Sequence, residues 1–482
     1  MADIAFHHGT RVFQSSEEPV LIRTAQSSVV GFLGTAPNAD PIAFPLNKTV
    51  LLKGPQTSLA SKLGEAGTLK DAVDSVINQV GTYIVVVRVE EGADLAATYT
   101  NLVGDPVAMT GVHAFLKSMA TLSIKPRLIG VPGYTDGTDP DGVQSIQVTA
   151  GGTGYTSTPT VTITDTGSGT GAVAEAVLVN GAVSSIIVKK HGAGYSAGTT
   201  TVAITGGDGT GATGEETIGL VVSPIVAELP GVLDKLKAVA WVDAPDTSDI
   251  DAVAYRGQIN SRRIKPVTAR PLVWDSAADA YAPSPGAAFF IGVQAKVDRE
   301  RGFWWSESNK SISGIGGTSR PIVYGDQTNY LNENDVATIV NIDGTGFRTW
   351  GNRGCSNESL WKFFSVVRTA DFINEAIEAA FLEFVDRPFS KANLKMAVES
   401  GNAFLRRLKA EGAILGGRVW IDPDLNSAED MAAGRVTFSV EFEPPAPMED
   451  IRIISYRNIL YYDKLRAEVI SEIESGALAA AA

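Results

Sequence analysis

Alternating strand and helix patterns flank a glycine-rich segment in the middle of the chain. Tyr83–Val89 (YIVVVRV) is a nearly continuous apolar run, as expected of a strand covered on both faces, and it follows an amphipathic helix predicted at Leu69–Val80. Pro126–Gly133 is the next predicted strand. After the glycine-rich segment the pattern predicts a helix, a strand, a helix and a strand, at Ser223–Lys237, Ala238–Val242, Ser248–Ser261 and Ala269–Trp274. This order favours α/β structure with a parallel sheet.

Helical periodicity and then a single strand characterise the C-terminal part. Apolar residues at helical spacing predict one or two helices over Asn357–Val385 and another over Lys391–Ala410. In Arg435–Glu443 apolar residues alternate with polar ones, which predicts a strand with one buried and one solvent-exposed face. A further extended stretch is predicted at Ile451–Tyr462, followed by an alanine-rich tail.

The glycine-rich segment, about Gly142–Gly214, contains a repeat with a period of 40 residues. The matching positions are Ile146 and Ile186, Val148 and Val188, Tyr155 and Tyr195, and the GTGA runs that begin at Gly169 and Gly209. Thr160–Thr164 and Thr201–Thr205 alternate as strands do, and the glycine clusters suit turns with positive φ. We therefore predict an inserted all-β unit of two related halves with its own core.

Composition narrows the class of protein. The chain has 482 residues, 44% of them hydrophobic, and a formal net charge of −14. This length suggests about three domains, and the acidic balance without a basic block argues against nucleic-acid binding. Cys355 is the single cysteine, so neither an intrachain disulfide nor a zinc site with two thiolates can form. The start lacks a signal-peptide pattern and no apolar run approaches a bilayer span, so we expect synthesis in a cytoplasm and no membrane insertion.

Candidate enzymatic and metal-binding motifs are weak. Gly209, Gly211 and Gly214 form G-x-G-x-x-G after a strand, but the residues that follow do not open an amphipathic helix, so a repeated β turn explains them better than a dinucleotide site. Asp136–Gly142 resembles a calcium loop, yet the spacing places Gly137 at the first ligand position, and a polar linker is the better interpretation.

Other candidate ligands and nucleophiles are equally isolated. His7 and His8 are adjacent, so on a strand they would face opposite sides and would not bind one metal together. Cys355 has no histidine near it in sequence, and no G-x-S-x-G motif is present. We therefore predict no enzymatic activity, no metal and no cofactor.

Three stretches outside the glycine-rich segment resemble contractile tail sheath proteins of myophages. The first is FHHGTRVFQSSEEPVLIRTAQSSVVGFLGTAPNAD followed by FPLNKTVLL near the start. The second is Arg301–Gly316 (RGFWWSESNKSISGIG), and the third is Leu360–Ile453, which includes GRVTFSVEFEPPAPMEDIRI. Their order and the overall length agree with the family. Residues 140–219 depart from the family core, and related sheaths carry variable insertions there.

The resemblance implies a structural function. Subunits of this family stack as hexameric rings in an extended helix around a rigid tail tube, and after triggering at the baseplate the helix shortens and drives the tube through the host envelope. The implied partners are further copies of the chain, the tail tube protein, and baseplate and tail terminator proteins. The implied location is the virion tail, assembled in the host cytoplasm.

The resemblance also implies which residues contact other subunits. In this family terminal arms add strands to a neighbour's sheet, and the extended segments Thr10–Arg23 and Ile451–Tyr462 and the strand Arg435–Glu443 suit that role. The residues predicted for these inter-subunit strands are Arg11, Val12, Phe13, Leu21, Ile22, Val436, Phe438, Val440, Phe442, Ile453, Ile454 and Tyr456. Pairing of the same termini within their own domain is the alternative.

A cationic helix in an acidic chain is the candidate tube contact. The residues predicted to face the tube are Lys391, Lys395, Arg406, Arg407 and Lys409. Such a contact would be screened by salt and could be released during contraction. A solvated helix face is the alternative.

The predicted fold class is α/β, or α+β overall, in a multi-domain sheath fold. It combines a conserved C-terminal α+β core, an α/β middle region and an inserted small all-β repeat domain. The predicted boundaries are an N-terminal arm at 1–23, an α/β region at 24–139 plus 220–350, the insertion at 140–219, the C-terminal core at 351–450, and a linking arm and tail at 451–482.

Two other functions remain open at this stage. The sheath of a phage-derived bacteriocin or of a secretion apparatus would have much the same sequence. A carbohydrate-binding tail module would need exposed aromatic side chains in the insertion. Its aromatic residues are Tyr155 and Tyr195, which occupy equivalent repeat positions, so packing is the better account of them.

Overall fold

The computed structural model describes residues 26–54, 56–276 and 278–480. The predicted arm residues Arg11, Val12, Phe13, Leu21 and Ile22, and the His7–His8 pair, lie outside this part of the chain.

Helices are distributed along the whole described chain. Those predicted at Leu69–Val80, Ser223–Lys237 and Ser248–Ser261 are present with slightly shorter ends. In chain order the α-helices are α1 Thr57–Ala60, α2 Leu69–Ile77, α3 Leu95–Val103, α4 Ser118–Leu122, α5 Pro224–Leu236, α6 Asp249–Gly257, α7 Gly286–Arg301, α8 Gln327–Glu333, α9 Phe364–Phe381, α10 Lys391–Glu411, α11 Ala428–Ala432 and α12 Tyr461–Ala480.

Strands are grouped into a parallel-type sheet, an inserted antiparallel sheet and two small sheets. Their bounds are β1 Val30–Thr35, β2 Thr49–Lys53, β3 Tyr83–Val89, β4 Leu128–Gly130, β5 Thr138–Thr153, β6 Thr160–Asp165, β7 Val173–Val179, β8 Ala182–Lys190, β9 Thr200–Thr205, β10 Thr210–Val222, β11 Val239–Asp243, β12 Ile264–Thr268, β13 Pro271–Asp275, β14 Ala280–Pro283, β15 Lys310–Ser311, β16 Gly317–Thr318, β17 Ala337–Asn341, β18 Phe347–Trp350, β19 Gly416–Ile421 and β20 Phe438–Glu443.

A nine-stranded sheet in the order β15-β18-β17-β12-β11-β4-β1-β3-β2 forms the centre of the molecule. Its strands from β3 to β17 pair in parallel, and antiparallel strands complete both edges. Alternate residues of β3 enter two separate hydrophobic clusters, one packed with α3, α5 and α6 and the other with α2 and α7. The predicted mixed α/β architecture is therefore confirmed, including a β3 strand buried on both faces.

The prediction of a parallel-sheet strand at Ala269–Trp274 was wrong. The strand that follows α6 in this sheet is β12, and β13 belongs to a separate three-stranded antiparallel sheet. The sequence of β12, IKPVT, obscures the strand because Lys265 and Pro266 interrupt its apolar pattern. Lys265 is fully buried nevertheless, since its Nζ lies 2.7 Å from Oε1 of the equally buried Glu307.

The strands β5 to β10 form a six-stranded antiparallel sheet with its own buried cluster. The equivalent strands β6 and β9 pair with each other, as Thr162 opposite Ala203 shows. Two equivalent hydrogen bonds also join the repeats. The Ala212 N–H donates to the Tyr155 hydroxyl at 3.3 Å, and the Ala172 N–H donates to the Tyr195 hydroxyl at 3.0 Å. Both tyrosines are buried, which confirms packing as the reason for their repetition.

The helices α9 and α10 and the two-stranded sheet β19–β20 share a smaller hydrophobic cluster. The predicted strand Arg435–Glu443 begins later than expected, so Val436 lies outside β20. Asn426 explains this start, because its side chain accepts from the Thr437 N–H at 2.7 Å and donates to the Thr437 carbonyl at 2.9 Å. Those backbone groups are then not available to extend the ladder toward Val436.

Residues 448–482 form a unit distinct from the preceding part of the chain. No helix or strand is formed between Met448 and Leu460, and α12 then begins at Tyr461, so the predicted extended stretch ends before Tyr461 rather than at Tyr462. The helix α12 itself was not predicted, because its alanine-rich end resembled a tail. From Met448 to Gly476 every described residue is exposed.

Candidate assembly surfaces

The carboxyl ends of the parallel strands, where α/β proteins usually bind ligands, are closed by side chains. At the end of β11, Asp243 Oδ1 accepts from the Ala287 N–H at 2.9 Å and lies 2.9 Å from an Arg270 nitrogen. Arg270 also pairs with Asp136 at 2.8 Å, and the Tyr255 hydroxyl donates to the Thr135 carbonyl at 2.6 Å. The chain segment that leads into the inserted strand β5 therefore lies in this crevice.

Burial dominates the electrostatics of this crevice. It raises the pKa of Asp243 above its ordinary value, although Arg270 acts in the opposite direction. The segment predicted as a polar linker at Asp136–Gly142 enters β5 at Thr138, and its first carboxylate is the partner of Arg270. The network joins the segment that leads into β5 to the ends of the parallel strands.

The glycines of the G-x-G-x-x-G motif serve the β unit. Thr210 begins strand β10, so no helix follows Gly209. A Cβ atom at Gly209 would lie 2.4 Å from the Tyr155 ring, and one at Gly169 would lie 2.5 Å from the Tyr195 ring. Both glycines are therefore explained by the close approach of a tyrosine from the other repeat.

The described residues contain no group of three or more His, Cys, Asp or Glu side chains placed to hold a metal ion. Cys355 is completely buried, and burial raises its pKa to about 12. A search of the described helices for one long and apolar enough to cross a bilayer found none.

The sheet β19–β20 pairs two antiparallel strands in the register Val419 opposite Val440. Phe438, Val440 and Phe442 pack against the cluster formed by α9 and α10, and Phe438 meets Phe381 at a ring distance of 5.0 Å. On the other face Arg418 and Glu441 form an exposed ion pair at 2.7 Å. Two strands alone are marginal in water, so this sheet depends on the helices beneath it.

The outer edge of β19 is occupied by a side chain of α10. The Val419 N–H donates to Asn402 Oδ1 at 2.8 Å, and Asn402 Nδ2 donates to the Val419 carbonyl at 2.9 Å. Because backbone groups in an antiparallel ladder alternate in direction, these Val419 groups point away from β20. Sequence reasoning missed Asn402; its only signal is a poor helix former in the middle of a long helix.

The outer edge of β20 is open within the described chain. By the same alternation, the backbone groups of Phe438, Val440 and Phe442 point away from β19. None of these groups has a hydrogen-bond partner outside the ladder among the residues that the structure describes. Of the four arm-strand residues predicted in this part of the chain, Phe438, Val440 and Phe442 lie along the unpaired edge of β20. Val436 lies beyond the end of that strand.

The cationic residues of α10 do not all share one face. At 100° per residue, Lys391, Lys395, Arg406 and Lys409 lie on the side opposite the buried residues of this helix. Arg407 lies off that face, where it stacks on Phe404 at 5.3 Å. Lys395 pairs with Glu399 at 3.5 Å, whereas the other three members of the face have no ion-pair partner in the described part of the chain.

The predicted C-terminal arm residues are strongly exposed. The exposed fractions are 87% for Ile453, 74% for Ile454 and 83% for Tyr456. Apolar side chains exposed in this way along one segment indicate a surface that another molecule covers.

Charged residues join α9 to the central sheet, a feature that the sequence pattern did not reveal. All three pairs are largely buried: Arg368 with Asp298, Asp371 with Arg263, and Glu375 with Lys125. The Arg263 and Asp371 side chains meet through two hydrogen bonds, which is the strongest geometry for such a pair. The C-terminal helices are thus fixed to the α/β region.

Two family models match adjacent parts of the chain. Residues 222–355 match the phage tail sheath protein central domain, and residues 356–454 match the phage tail sheath C-terminal domain. The boundary between them falls directly after the buried Cys355 and before α9.

Curated relatives carry the same description. The tail sheath protein of Escherichia phage P2 is 26% identical over 485 residues, which cover 98% of this chain and 99% of the relative. A prophage major tail sheath protein of Pseudomonas aeruginosa strain UCBPP-PA14 is 42% identical over 236 residues, and this match spans 48% of the chain and 61% of that relative.

Solved structures share the fold at low sequence identity. The sheath complex of an extracellular contractile injection system, PVC, in its contracted state has a TM-score of 0.59 at 14% identity, covering 95% of this chain and 99% of the other. The helical sheath of the anti-feeding prophage in its contracted state has a TM-score of 0.58 at 15% identity, covering 94% and 100%.

Proposed function

The chain belongs to the phage tail sheath family, and we propose that it polymerises as hexameric rings in a helix around a tail tube and contracts to drive that tube through the host envelope. The family is a structural one, and its members are components of the virion tail. The observation that carries the proposal is that the chain has both an open strand edge on β20 and, in its C-terminal unit, an exposed apolar segment.

Strand addition would satisfy both features at once. Residues 451–456 of one subunit, placed beside β20 of another, would pair the free backbone groups of β20 and cover Ile451 and Ile453, which share one face of a strand. The N-terminal segment Thr10–Arg23 is proposed as the second arm. Contacts of this asymmetric kind do not close on themselves and generate an open helix.

Energetics favour assembly on a template. A docked six-residue arm gains about 0.5 to 1.5 kcal/mol per hydrogen bond and about 1.5 to 3 kcal/mol for each of two or three buried apolar side chains. Ordering the arm costs about 1 to 2 kcal/mol per residue, which nearly cancels these gains. Several arms engaged on a preformed ring and tube would reinforce one another through effective concentration, so the tube and the baseplate are the expected partners of assembly.

Electron microscopy of the purified full chain tests the central proposal, with hollow striated cylinders as the expected result. A chain ending at Pro447 should keep the melting transition of the full chain, because residues 448–482 form a unit of their own, yet it should sediment as a monomer or small oligomer. A chain lacking about its first 20 residues should behave in the same way. Normal cylinders from both truncated chains would show that core surfaces hold the lattice together.

The cationic face of α10 is proposed to contact the tube. Lys391, Arg406 and Lys409 are without ion-pair partners in the described chain and stand opposite the buried side of the helix. A long-range attraction to an acidic tube surface would guide docking without deep packing. Because it is screened by salt, it would also separate readily when the sheath widens.

Charge reversal distinguishes this role from a solvated helix face. Lys391→Glu with Arg406→Glu should reduce decoration of purified tubes at low salt, and the difference from the wild type should shrink as salt is raised. Lys48→Glu with Lys53→Glu, an equal change at exposed lysines of the α/β region, is the matched control. Equal decoration by both variants at every salt concentration would rule out the α10 contact.

We propose the domain division predicted above, with 140–219 as an outward decoration that polymerisation does not require. Gly142 and Gly219 are partners in the β5–β10 ladder, so the chain enters and leaves the unit at one place. Replacing residues 143–218 by a short Gly-Ser turn should leave a soluble subunit that still forms cylinders. Failure of that variant to fold would assign the unit to the core.

A bacteriocin or secretion-apparatus sheath is the closest alternative. The fold neighbours are sheaths of injection systems, whereas the tail sheath protein of Escherichia phage P2 matches nearly the whole chain in sequence. The sequence relationship favours the phage tail. A carbohydrate-binding tail module finds no support in the buried Tyr155 and Tyr195.

A further inference from the structure

We propose that Asn402 makes the β19–β20 sheet accept an added strand at its β20 edge only, and so fixes the side on which one subunit attaches to the next. The proposal rests on the strand addition described under the proposed function. It adds to that function the residue that decides which of two equivalent edges is used.

The geometry of Asn402 is that of a neighbouring strand. In an antiparallel ladder an added strand would donate one hydrogen bond to the Val419 carbonyl and accept one from the Val419 N–H. The Asn402 amide makes this same pair of bonds, at 2.9 and 2.8 Å. An incoming strand would have to break both before it could pair at the middle of β19.

Close packing holds the Asn402 amide in place. A Cβ atom at the preceding residue, Gly401, would lie 2.7 Å from a methyl group of Val419, so glycine allows α10 to approach β19 closely. Leu405 and Leu408 bury the same helix against the sheet. The helix backbone that carries Asn402 is thus held close to β19, and its amide covers a strand edge that could otherwise pair with another chain.

A second asparagine limits the same sheet at its end. Asn426 occupies the backbone groups of Thr437 with the same two-bond geometry. On β20 the outward-facing residues Phe438, Val440 and Phe442 form one uninterrupted stretch, whereas on β19 the outward-facing Gly417 and Ile421 are separated by Val419, which Asn402 occupies. That stretch fits an extended segment of about five residues.

The occupant we assign to this edge is the segment 449–460 of a second copy of the chain. This segment contains no helix or strand of its own, and its apolar residues Ile451, Ile453 and Tyr456 are exposed. In residues 450–453 the polar Asp450 and Arg452 alternate with Ile451 and Ile453, which suits a sheet with one apolar and one polar face. One open edge per subunit then gives one acceptor for each C-terminal segment, which an unguarded pair of edges would not.

Disulfide mapping in assembled cylinders tests the guard. Arg418 on β19 and Glu441 on β20 are exposed partners on the same face, so Arg418→Cys and Glu441→Cys form a matched pair of probes. Each would be mixed with full-length chains carrying Arg452→Cys or Ser455→Cys in the donor segment. A strand added at β20 lies about 5 Å from β20 and about 10 Å from β19, whereas a disulfide needs Cβ atoms about 4 Å apart.

With Asn402 present, oxidised cylinders should contain dimers through Glu441→Cys and about tenfold fewer through Arg418→Cys, given that spacing. Asn402→Ala should raise the Arg418→Cys dimer to the level of the Glu441→Cys dimer. Asn393→Ala, an equal change on α10 whose side chain bonds to the Pro388 carbonyl, should leave the pattern unchanged. Native Cys355 is buried, so wild-type cylinders should give no dimer.

Three results would overturn the proposal. Equal dimers through both probes with Asn402 present would show that β19 is not guarded, and an unchanged pattern in Asn402→Ala would show that another group guards it. Cylinders without a dimer through either probe would refute strand addition itself. If Asn402→Ala lowers the melting temperature so far that cylinders are lost, Asn402→Asp serves instead, because it keeps the acceptor for the Val419 N–H and removes the donor.

Discussion

The nine-stranded sheet and the sheet β19–β20 differ in how their faces and strand edges are covered. The large sheet is covered on both faces by helices of its own chain, and antiparallel strands complete its parallel part on either side. The small sheet has one covered face, one edge guarded by Asn402 and one edge left open. The first region buries its strands within one subunit, and we propose that the second is completed by a strand from another subunit.

The placement of charge follows the same division. Lys265 and Glu307 are fully buried beside the large sheet, where Trp241 also donates to Glu307 at 2.9 Å. Arg418 and Glu441 on the small sheet are more than half exposed. Buried pairs tolerate no loss of a partner, whereas exposed pairs contribute little. Variants in the two regions should therefore differ sharply.

The largest difference is expected between Glu307→Gln and Glu441→Gln. The first leaves the Lys265 ammonium buried without its counter-charge and should lower the free energy of unfolding by about 3 to 5 kcal/mol. The second should cost less than about 1 kcal/mol. Urea denaturation at neutral pH measures both. Similar losses in the two variants would contradict the division between a closed and an open region.

The pH dependence of the Glu307 variant sharpens this result. Burial by itself would raise the pKa of Glu307, but Lys265 and its hydrogen bonds hold that pKa below its ordinary value. A carboxyl with a lowered folded-state pKa stabilises the protein above its unfolded pKa of about 4.3 and loses this contribution as pH falls through the folded value. The stability gap between wild type and Glu307→Gln should therefore persist at neutral pH and narrow in acid.

An intermediate effect is expected from Gly401→Ala, which tests whether the small core can open independently. The added methyl group would meet Val419 at 2.7 Å and should cost about 1 to 3 kcal/mol through overpacking. Hydrogen exchange should accelerate in α10 and β19 more than in β3. The double variant with Val419→Ala, which makes room, should recover part of the loss. Uniform acceleration across all these elements would show that the two regions unfold together.

The last prediction leaves stability unchanged: the rate at which Cys355 is labelled reports how often the region around the nine-stranded sheet opens. Burial raises its pKa to about 12, so at neutral pH its thiolate fraction is roughly a thousandfold below that of a free cysteine. A thiol reagent should label the folded wild type extremely slowly and the urea-unfolded chain at once. Ser439→Cys on β20 should react in the folded state. Rapid labelling of wild type would mean that the central sheet opens more readily than its packing suggests.

Sequence patterns identified the elements whose chemistry is local. The apolar run of β3, the helix α5 with proline at its start, and the paired repeats of the inserted unit all appear as predicted. The family resemblance, carried by residues at both ends and near Arg301–Gly316, agrees with the later match of the central and C-terminal domains. Each of these signals can be read along the chain without knowing which elements become neighbours in space.

The predictions from sequence were wrong where a polar group pairs with a residue far away along the chain. Lys265 hid the strand β12 because its counter-charge, Glu307, is 42 positions away in the chain. The start of β20 was misplaced because Asn426 takes the backbone bonds of Thr437. Nothing in the periodicity of Arg435–Glu443 distinguishes a residue in the ladder from one whose backbone is already bonded.

The periodicity of apolar residues was enough to predict an α/β sheet with an inserted β repeat, since burial of apolar surface follows that periodicity. The open edge of β19–β20 and the shared face of the α10 charges became visible in the folded chain alone. Hydrogen-bond partners and edge exposure depend on which elements become neighbours in space, and Asn402 meets Val419 only after α10 has packed on β19. A one-dimensional pattern does not contain that distance.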